Sequence, residues 1–488
     1  MRYAISFVGL LGLGSLALYG CSSSNSGTPD AGTDAPAPKP DASADTGPRP
    51  DGGSEAGSTG LGSSCANAIA VDLSAETDGD LNAVGKSIFY SVNVTAGDFL
   101  LISASTAATA DTVAGAVVDT AISVFDATGA KLLANDDDAF PRYTTDAQFF
   151  YRAPATATLC MQVTDFDTWK GDPATLATDS TFKFFAGVIS PDAEVVTFDT
   201  EPNDTTAAPQ IGKLKAATTG VGAYTYLGGV LSSAADVDTY KFTVPTGAKS
   251  LNVTVPPIGA PLTKGVSSYG STMARFTATV KKLDGTIVAE LLPPAGQVES
   301  MSDSLTAPVD AGDYYLVIGR PTGVTAGAND FYATTIAFGA GNTPEAEAIA
   351  AHTNDTLAAA EALTMTADTA NAKLKHGYIL AHLPTGDAAD NFSFAVANGD
   401  SVAVACGAAR NGSGLQGFKM DLFVAGTSKQ SETESATADL AWSSGKGASK
   451  APVVASAAGT AVLQLTSGSA STTNTGRYYL CGVHVTSP

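Results

Sequence analysis

The stretch Asp236-Val237-Asp238-Thr239-Tyr240-Lys241-Phe242-Thr243-Val244-Pro245-Thr246-Gly247 decides the fold. Its two aspartates open a polar turn. From Tyr240 to Val244 large apolar side chains alternate with polar ones, the period of a strand with one buried face. Gly247 then supplies a residue that accepts positive φ in a tight turn. A second alternating run, Ser250 to Val255, follows it, so the pair reads as a hairpin.

The phrase recurs on both sides. Ile88 to Val94 leads to Gly97 and the run Phe99 to Ser103; Asp390 to Val396 leads to Gly399 and the run Ser401 to Cys406. Tyr90, Tyr240 and Phe392 stand 150 and 152 residues apart. A closing phrase, Ala311-Gly312-Asp313-Tyr314-Tyr315-Leu316-Val317, has counterparts in Ala157 to Val163 and in Thr475 to Cys481. An opening phrase, Glu201-Pro202-Asn203-Asp204-Thr205, is matched by His352-Thr353-Asn354-Asp355-Thr356. Units of this length are too long for solenoid repeats, so each is expected to own a core. The expected fold is all-β: three tandem antiparallel jelly-roll-like β-sandwiches spanning 62–192, 193–341 and 342–488. The Ala-rich stretch Glu345 to Leu363 occupies the opening-phrase register and is read as such rather than as a helix.

The N-terminus is an address. Arg2 precedes an apolar run from Tyr3 to Tyr19, and Leu18-Tyr19-Gly20-Cys21 ends it. This arrangement resembles a bacterial lipobox, which implies a lipoprotein signal peptide over 1–20 and lipid (palmitate) on the Cys21 thiol. The alternatives are an ordinary signal peptide or a membrane helix, for which about seventeen apolar residues is short. Residues 21–61 are Ser, Pro, Asp, Gly and Ala with almost no large apolar side chain, the composition of a disordered linker. A flexible chain of that length reaches about 35 Å. The expected location is the bacterial cell envelope, lipid-anchored, at the outer membrane or cell surface.

Composition narrows the partners. The 488 residues carry 26 Lys+Arg against 48 Asp+Glu, a net charge of -22, which repels phosphate and excludes nucleic acid. Hydrophobic residues make up 44%, enough for real cores.

The opening Glu-Pro-Asn-Asp-Thr, the Asp-Val-Asp-x-Tyr-x-Phe-x-Val-x-x-Gly strand and the Ala-Gly-x-Tyr-Tyr-Leu close together resemble the bacterial pre-peptidase C-terminal (PPC) domain, a group that includes collagenase collagen-binding domains. The likeness covers most of the second and third units. In the first it rests on the strand, on Asp119 to Asp126 and on Asn135-Asp136-Asp137-Asp138 after Gly129. It implies a jelly-roll-like sandwich without catalysis of its own, usually beside a secreted peptidase, although no peptidase domain accompanies it here. It also implies calcium, held where the opening segment meets the Asp-x-Asp turn: Asp199, Glu201, Asn203, Asp204, Asp236 and Asp238. Hard oxygens from two turns suit Ca²⁺, which takes six to eight. The alternative is that these residues cap turns in water. In the third unit Asn354, Asp355, Asp387 and Asp390 remain, but His352 and Ala350 replace Glu201 and Asp199, so calcium is expected mainly in the middle unit. Asp136, Asp137 and Asp138 read as a polar turn with a weaker claim to a metal.

Four cysteines remain after Cys21, two in the first unit and two in the third. In an exported chain that partition favours disulfides Cys65–Cys160 and Cys406–Cys481, with buried free thiols as the alternative. Each bridge would be worth about 4 kcal/mol in the chain-entropy picture. Catalytic sets are poor. The four histidines, His352, His376, His382 and His484, form no His-Glu-x-x-His pair, and no Gly-x-Ser-x-Gly elbow exists. Gly85-Lys86-Ser87 resembles the end of a phosphate loop, but Asp80 stands where its first glycine is required and a strand follows, so it reads as a turn. Trp169 and Trp442 read as core residues, with a stacking platform for sugar or peptide as the alternative. The expected function is non-catalytic binding or adhesion toward an extracellular polymer or protein. The alternative is a calcium-stabilised spacer or an accessory partner of a secreted peptidase.

Overall fold

The computed structural model describes residues 60–106, 117–137, 146–190, 193, 195–214, 223–259, 261–291, 303–339, 354–368, 371–384, 387–408, 412–434, 440–443, 449–466, 469–470 and 476–488. Cys21, the signal peptide, nearly all of the linker, Asp138, Ala350 and His352 lie outside them.

Three sandwich modules follow one another. The first holds β1 (Ile69–Ala70), β2 (Glu76–Asp80), β3 (Ser87–Val94), β4 (Phe99–Ser105), β5 (Thr120–Asp126), β6 (Leu132–Asp136), β7 (Gln148–Arg152), β8 (Ala157–Asp165) and β9 (Thr181–Val188). The second holds β10 (Val196–Phe198), β11 (Gln210–Ile211), β12 (Tyr224–Val230), β13 (Val237–Val244), β14 (Ser250–Val255), β15 (Thr277–Lys282), β16 (Ile287–Leu291), β17 (Asp303–Pro308), β18 (Gly312–Gly319) and β19 (Phe331–Gly339). The third holds β20 (Glu361–Ala362), β21 (Thr366–Ala367), β22 (Leu374–His382), β23 (Asp390–Val396), β24 (Ser401–Gly407), β25 (Leu415–Gln416), β26 (Lys419–Val424), β27 (Thr427–Thr433), β28 (Leu440–Trp442), β29 (Val453–Val454), β30 (Gly459–Thr466), β31 (Ser469–Ala470) and β32 (Tyr478–Thr486).

The modules share one topology. One sheet runs β1-β3-β8-β5-β6, then β11-β13-β18-β15-β16, then β20-β23-β30-β26-β27. The facing sheet is built on β2-β9-β4-β7, then β12-β19-β14-β17, then β22-β32-β24-β28. Each first sheet begins with a short strand parallel to its neighbour, and the rest of it is antiparallel. Tyr90, Tyr240 and Phe392 all point into the cores. Among the described residues no helix is long and apolar enough to cross a membrane.

Three expectations are corrected. First, the strands flanking Gly97, Gly247 and Gly399 are not hairpins. β3 and β4, β13 and β14, and β23 and β24 lie in opposite sheets. The glycines share one conformation, with φ of 90°, 91° and 90°, which turns the chain across the sandwich. Alternation cannot distinguish the two outcomes, because a strand packed across the core and one paired beside it both bury every second residue.

Second, Tyr478 to Cys481 is not the third module's counterpart of Tyr314 to Val317. The counterpart of β18 is β30, and β32 matches β19, whose Phe331-Tyr332 is equally aromatic.

Third, the first two modules do not own separate cores. Phe99 packs on Phe198 and Phe331 at ring distances of 4.9 and 5.7 Å, Phe149 on Tyr269 at 5.3 Å and Phe150 on Tyr226 at 5.9 Å. Leu380, Tyr478 and Leu480 of the third module join the same apolar cluster, while the remainder of that module forms its own.

The cysteines pair as Cys65–Cys160 and Cys406–Cys481. Cys406 and Cys481 sit opposite each other on adjacent strands. Gly129, at the tip between β5 and β6, leaves room for the first bridge: a Cβ there would stand 2.8 Å from the Cys65 sulfur.

Candidate functional site

The six residues of the proposed oxygen set converge at one end of the second module. β10 hydrogen-bonds in parallel with β12, which delivers Asp199 beside the core; its amide bonds the Gly228 carbonyl at 2.8 Å. The loop that follows folds back on itself. The Asn203 amide bonds Glu201 Oε2 at 3.0 Å, and Asn203 Nδ2 bonds Asp199 Oδ1 at 2.7 Å. Gln210 Nε2 holds the Phe198 carbonyl at 2.5 Å, and Gln210 Oε1 accepts from the Thr200 amide at 3.0 Å, so β11 ties the loop down. The loop meets β13 where the Thr239 amide donates to the Asn203 carbonyl at 3.1 Å.

Asp236 and Asp238 approach from the other side. Asp236 Oδ2 accepts from the Ser232 amide and from its hydroxyl. Asp238 is fully buried, and its Oδ2 accepts from the Tyr332 hydroxyl, which is 2.5 Å from the Tyr240 hydroxyl. Asp199, Glu201 and Asp238 offer oxygens within 4.8 Å of one another, and so do Glu201, Asp204 and Asp236. Glu201 is the shared member.

The electrostatics are one-sided. Burial, then the charges of Asp199, Asp236 and Glu201, push the Asp238 carboxyl up to about 8, with the Tyr332 hydrogen bond opposing. Burial, then Glu201 and Asp236, push Asp199 up to about 6. Three buried oxygens, Asn203 Oδ1, Asp236 Oδ1 and Asp238 Oδ1, have no hydrogen-bond partner. A buried acceptor left unmade costs on the order of 1–3 kcal/mol. Such oxygens beside clustered carboxylates make a hard, anionic pocket suited to a cation. Both triads are compact enough for their oxygens to reach one ion at calcium's usual bond lengths.

The other modules show what this arrangement replaces. Register places Ile88 where Asp238 stands and Phe182 where Tyr332 stands, so the first module exchanges both partners of the buried bond for apolar groups. Lys86, in the position of Asp236, donates instead to Asn82 Oδ1 at 2.9 Å, and Gly85 turns the chain with φ 73° before a strand. The third module keeps the bond, as Tyr479 to Asp390 at 2.6 Å, and Asn391 Nδ2 reaches the Asn354 carbonyl at 2.7 Å. Among the described residues, carboxylate triads occur only in the second module.

Tyr332, Gln210 and Ser232 belong to the site and were not found in the sequence. Tyr332 enters from the last strand, 94 residues from Asp238. Its only signal was the recurrence of an aromatic pair at the start of β19 and of β32. Among the described residues Asp136 and Asp137 belong to no carboxylate triad, and Asp138 lies outside them. Asn135 and Asp137 dock on the second module: the Ser267 hydroxyl donates to Asp137 Oδ1 at 2.7 Å, and Asn135 Nδ2 donates to the Thr263 carbonyl at 2.9 Å. Trp169, on the short helix α1 (Phe166–Lys170), and Trp442, whose Nε1 donates to Glu432 at 2.6 Å, are buried and offer no platform. His376 and His382 lie on β22 and His484 on β32, in the third module.

No family model matches the chain, and no curated protein matches it. Several solved structures are similar over parts of it. Tandem CBM51 modules of a family 98 glycoside hydrolase from Streptococcus pneumoniae share 11% identity over 55% of this chain and 84% of that one, at a TM-score of 0.17. The CUB1-EGF-CUB2 domains of human MASP-1/3 share 8% over 54% and 98%, at 0.15. Tripeptidyl peptidase 2 shares 8% over 85% and 32%, at 0.19. Likeness at this level assigns neither a family nor a ligand.

Proposed function

We propose that the chain is a non-catalytic, lipid-anchored protein of the bacterial cell envelope, whose tandem β-sandwiches are PPC-like binding modules and whose second module holds calcium. One observation carries the reading: Asp199, Glu201, Asn203, Asp204, Asp236 and Asp238 meet at one place with three buried oxygens left without partners. The donor set is all hard oxygen, which suits Ca²⁺ and not a softer metal. The ion would supply the positive charge that the clustered carboxylates lack and would join the opening loop to β13. Its role is structural, fixing a surface that binds an extracellular polymer or protein.

The test uses the full-length protein in detergent. Saturable binding to collagen, peptidoglycan or an envelope polysaccharide, reversed by EGTA, is the expected result. Absence of binding to all three would favour a rigid spacer, a reading supported by the continuous apolar packing of the first two modules. Co-purification with a secreted peptidase would favour the accessory role. Radiolabelled palmitate should enter the wild type and not Cys21→Ser; equal labelling of both would remove the anchor from the proposal.

A further inference from the structure

The modules are joined by a repeated device. In the first module the edge strand β6 is extended by one rung from the second: the Asn135 amide bonds the Ser268 carbonyl, and the Ser268 amide bonds the Asn135 carbonyl, both at 2.8 Å. In the second module the edge strand β16 is met by the third: the Glu290 amide bonds the Gly412 carbonyl at 2.8 Å. These are the same place twice. Asn135 pairs with Ser123 and Glu290 with Thr279, and these partners sit opposite Gln162 and Val317 on equivalent central strands. The incoming loops share a positive-φ glycine, although Gly270 lies over Leu133 and Gly412 lies two positions further along, over Glu290. Gly270 and Gly412 each lie seven residues before the next strand of that sheet, with φ of 82° and 87°. A Cβ on Gly270 would meet the Leu133 carbonyl oxygen at 2.1 Å, and one on Gly412 would meet Leu305 at 3.0 Å and the Glu290 amide nitrogen at 3.3 Å. The serine after each glycine accepts from the amide two residues on, Met273 at 3.2 Å and Leu415 at 3.1 Å.

The equivalent edge of the third module is β27, and the equivalent residue is Ser431, paired with Asp421 opposite Gln464. Among the described residues no strand lies beyond β27 in its sheet. The Ser431 carbonyl accepts from the side chain of Lys450 instead. The strand chemistry changes with it. At the unpaired residue of the bulge, Leu133 and Val288 pack on the shared core, whereas the third module has Lys429, which is exposed. Lysine on an open edge opposes further strand pairing, because adding a neighbour would bury the charge.

We propose that this edge is the surface by which one module receives the next, and that Lys429 and Lys450 close it in the third module against a second copy of this chain. The excluded partner is a second copy of this chain meeting that edge. A heterologous contact of this kind gives rings or open chains according to whether its rotation closes. The device stands independently of calcium.

Three measurements on the full-length protein in detergent test this. In hydrogen exchange the Asn135 and Glu290 amides should be at least a hundredfold better protected than Ser431. By sedimentation the wild type should remain one chain per particle over a hundredfold range of concentration, while Lys429→Val with Lys450→Ala should form oligomers whose size rises with concentration. Val288→Lys should speed exchange at Glu290 at least tenfold. A double variant that melts like the wild type and stays monomeric throughout would overturn the proposal. So would a Ser431 amide as protected as Asn135, or a Glu290 amide indifferent to Val288→Lys.

Discussion

Without calcium the protein should lose stability as the pH rises from 5 to 8, and saturating calcium should remove that slope. The usual carboxylate behaves the other way, so the sign follows from the site. Asp238 has its carboxyl raised from 3.8 to about 8, first by burial and then by Asp199, Asp236 and Glu201. Between those two values the folded chain holds a proton that the unfolded chain has released. Stability is therefore fully present below about pH 4 and is lost as the pH climbs through 8. Each tenfold gain in proton affinity is worth about 1.4 kcal/mol, which puts the Asp238 contribution on the order of 5 kcal/mol. That is comparable to the whole stability of many domains. Asp199, raised to about 6 by burial and its acidic neighbours, adds in the same direction over a narrower window.

Bound calcium would reverse the balance by making the charged forms the favoured ones. At a hundred times its dissociation constant it would add about 2.7 kcal/mol. Glu201→Ala, which removes the residue common to both triads, should abolish the calcium response. Asp238→Asn should do so too, yet raise the melting temperature of the metal-free protein at pH 8, because it keeps an acceptor for Tyr332 and discards the buried charge. Thermal unfolding in EGTA and in calcium at the two pH values reads all of this. Melting temperatures that coincide across the four conditions would remove calcium from this site.

Gly270→Ala should split the unfolding of the first two modules. In the wild type the two are expected to melt in one calorimetric transition, because they share apolar packing and a polar seam. Arg152 Nη1 reaches Asn329 Oδ1 at 2.7 Å, Lys170 Nζ reaches the Gly265 carbonyl at 2.8 Å, and the Asn135–Ser268 rung lies between. An alanine at Gly270 costs about 1–2 kcal/mol for its left-handed backbone. Its Cβ would also stand 2.1 Å from the Leu133 carbonyl oxygen, which is backbone and cannot rotate away. The loop must retreat, and the seam opens with it. Two transitions are expected, the lower displaced by about 10 °C if some 3 kcal/mol is lost. Gly285→Ala is the control, since φ there is 88° but nothing lies within 4 Å. A single transition displaced no further than in that control would show that the modules do not depend on this contact.

Much of the fold was legible because alternation is local. Tyr240 to Val244 read correctly as a half-buried strand, and Gly247 as a positive-φ turn. Where β14 went after the turn was not legible, because crossing the core and pairing alongside bury the same residues. The oxygen set was readable as a group, since its six members lie in two short phrases that family likeness joined. Tyr332 was not, because it reaches Asp238 through strand order alone. The joints were hidden for a different reason. Asn135 and Ser268 carry ordinary turn residues, and only the equivalence of β6, β16 and β27 reveals what they do.

The disulfides have a mechanical consequence. Cys65–Cys160 and Cys406–Cys481 span 95 and 75 residues, and tension applied between the chain ends cannot lengthen what lies inside either bridge. The second module has no such tie. Under load its whole length is free to extend, and the carboxylates that gather its opening loop onto β13 sit where an ion would set how much pull it bears before it yields.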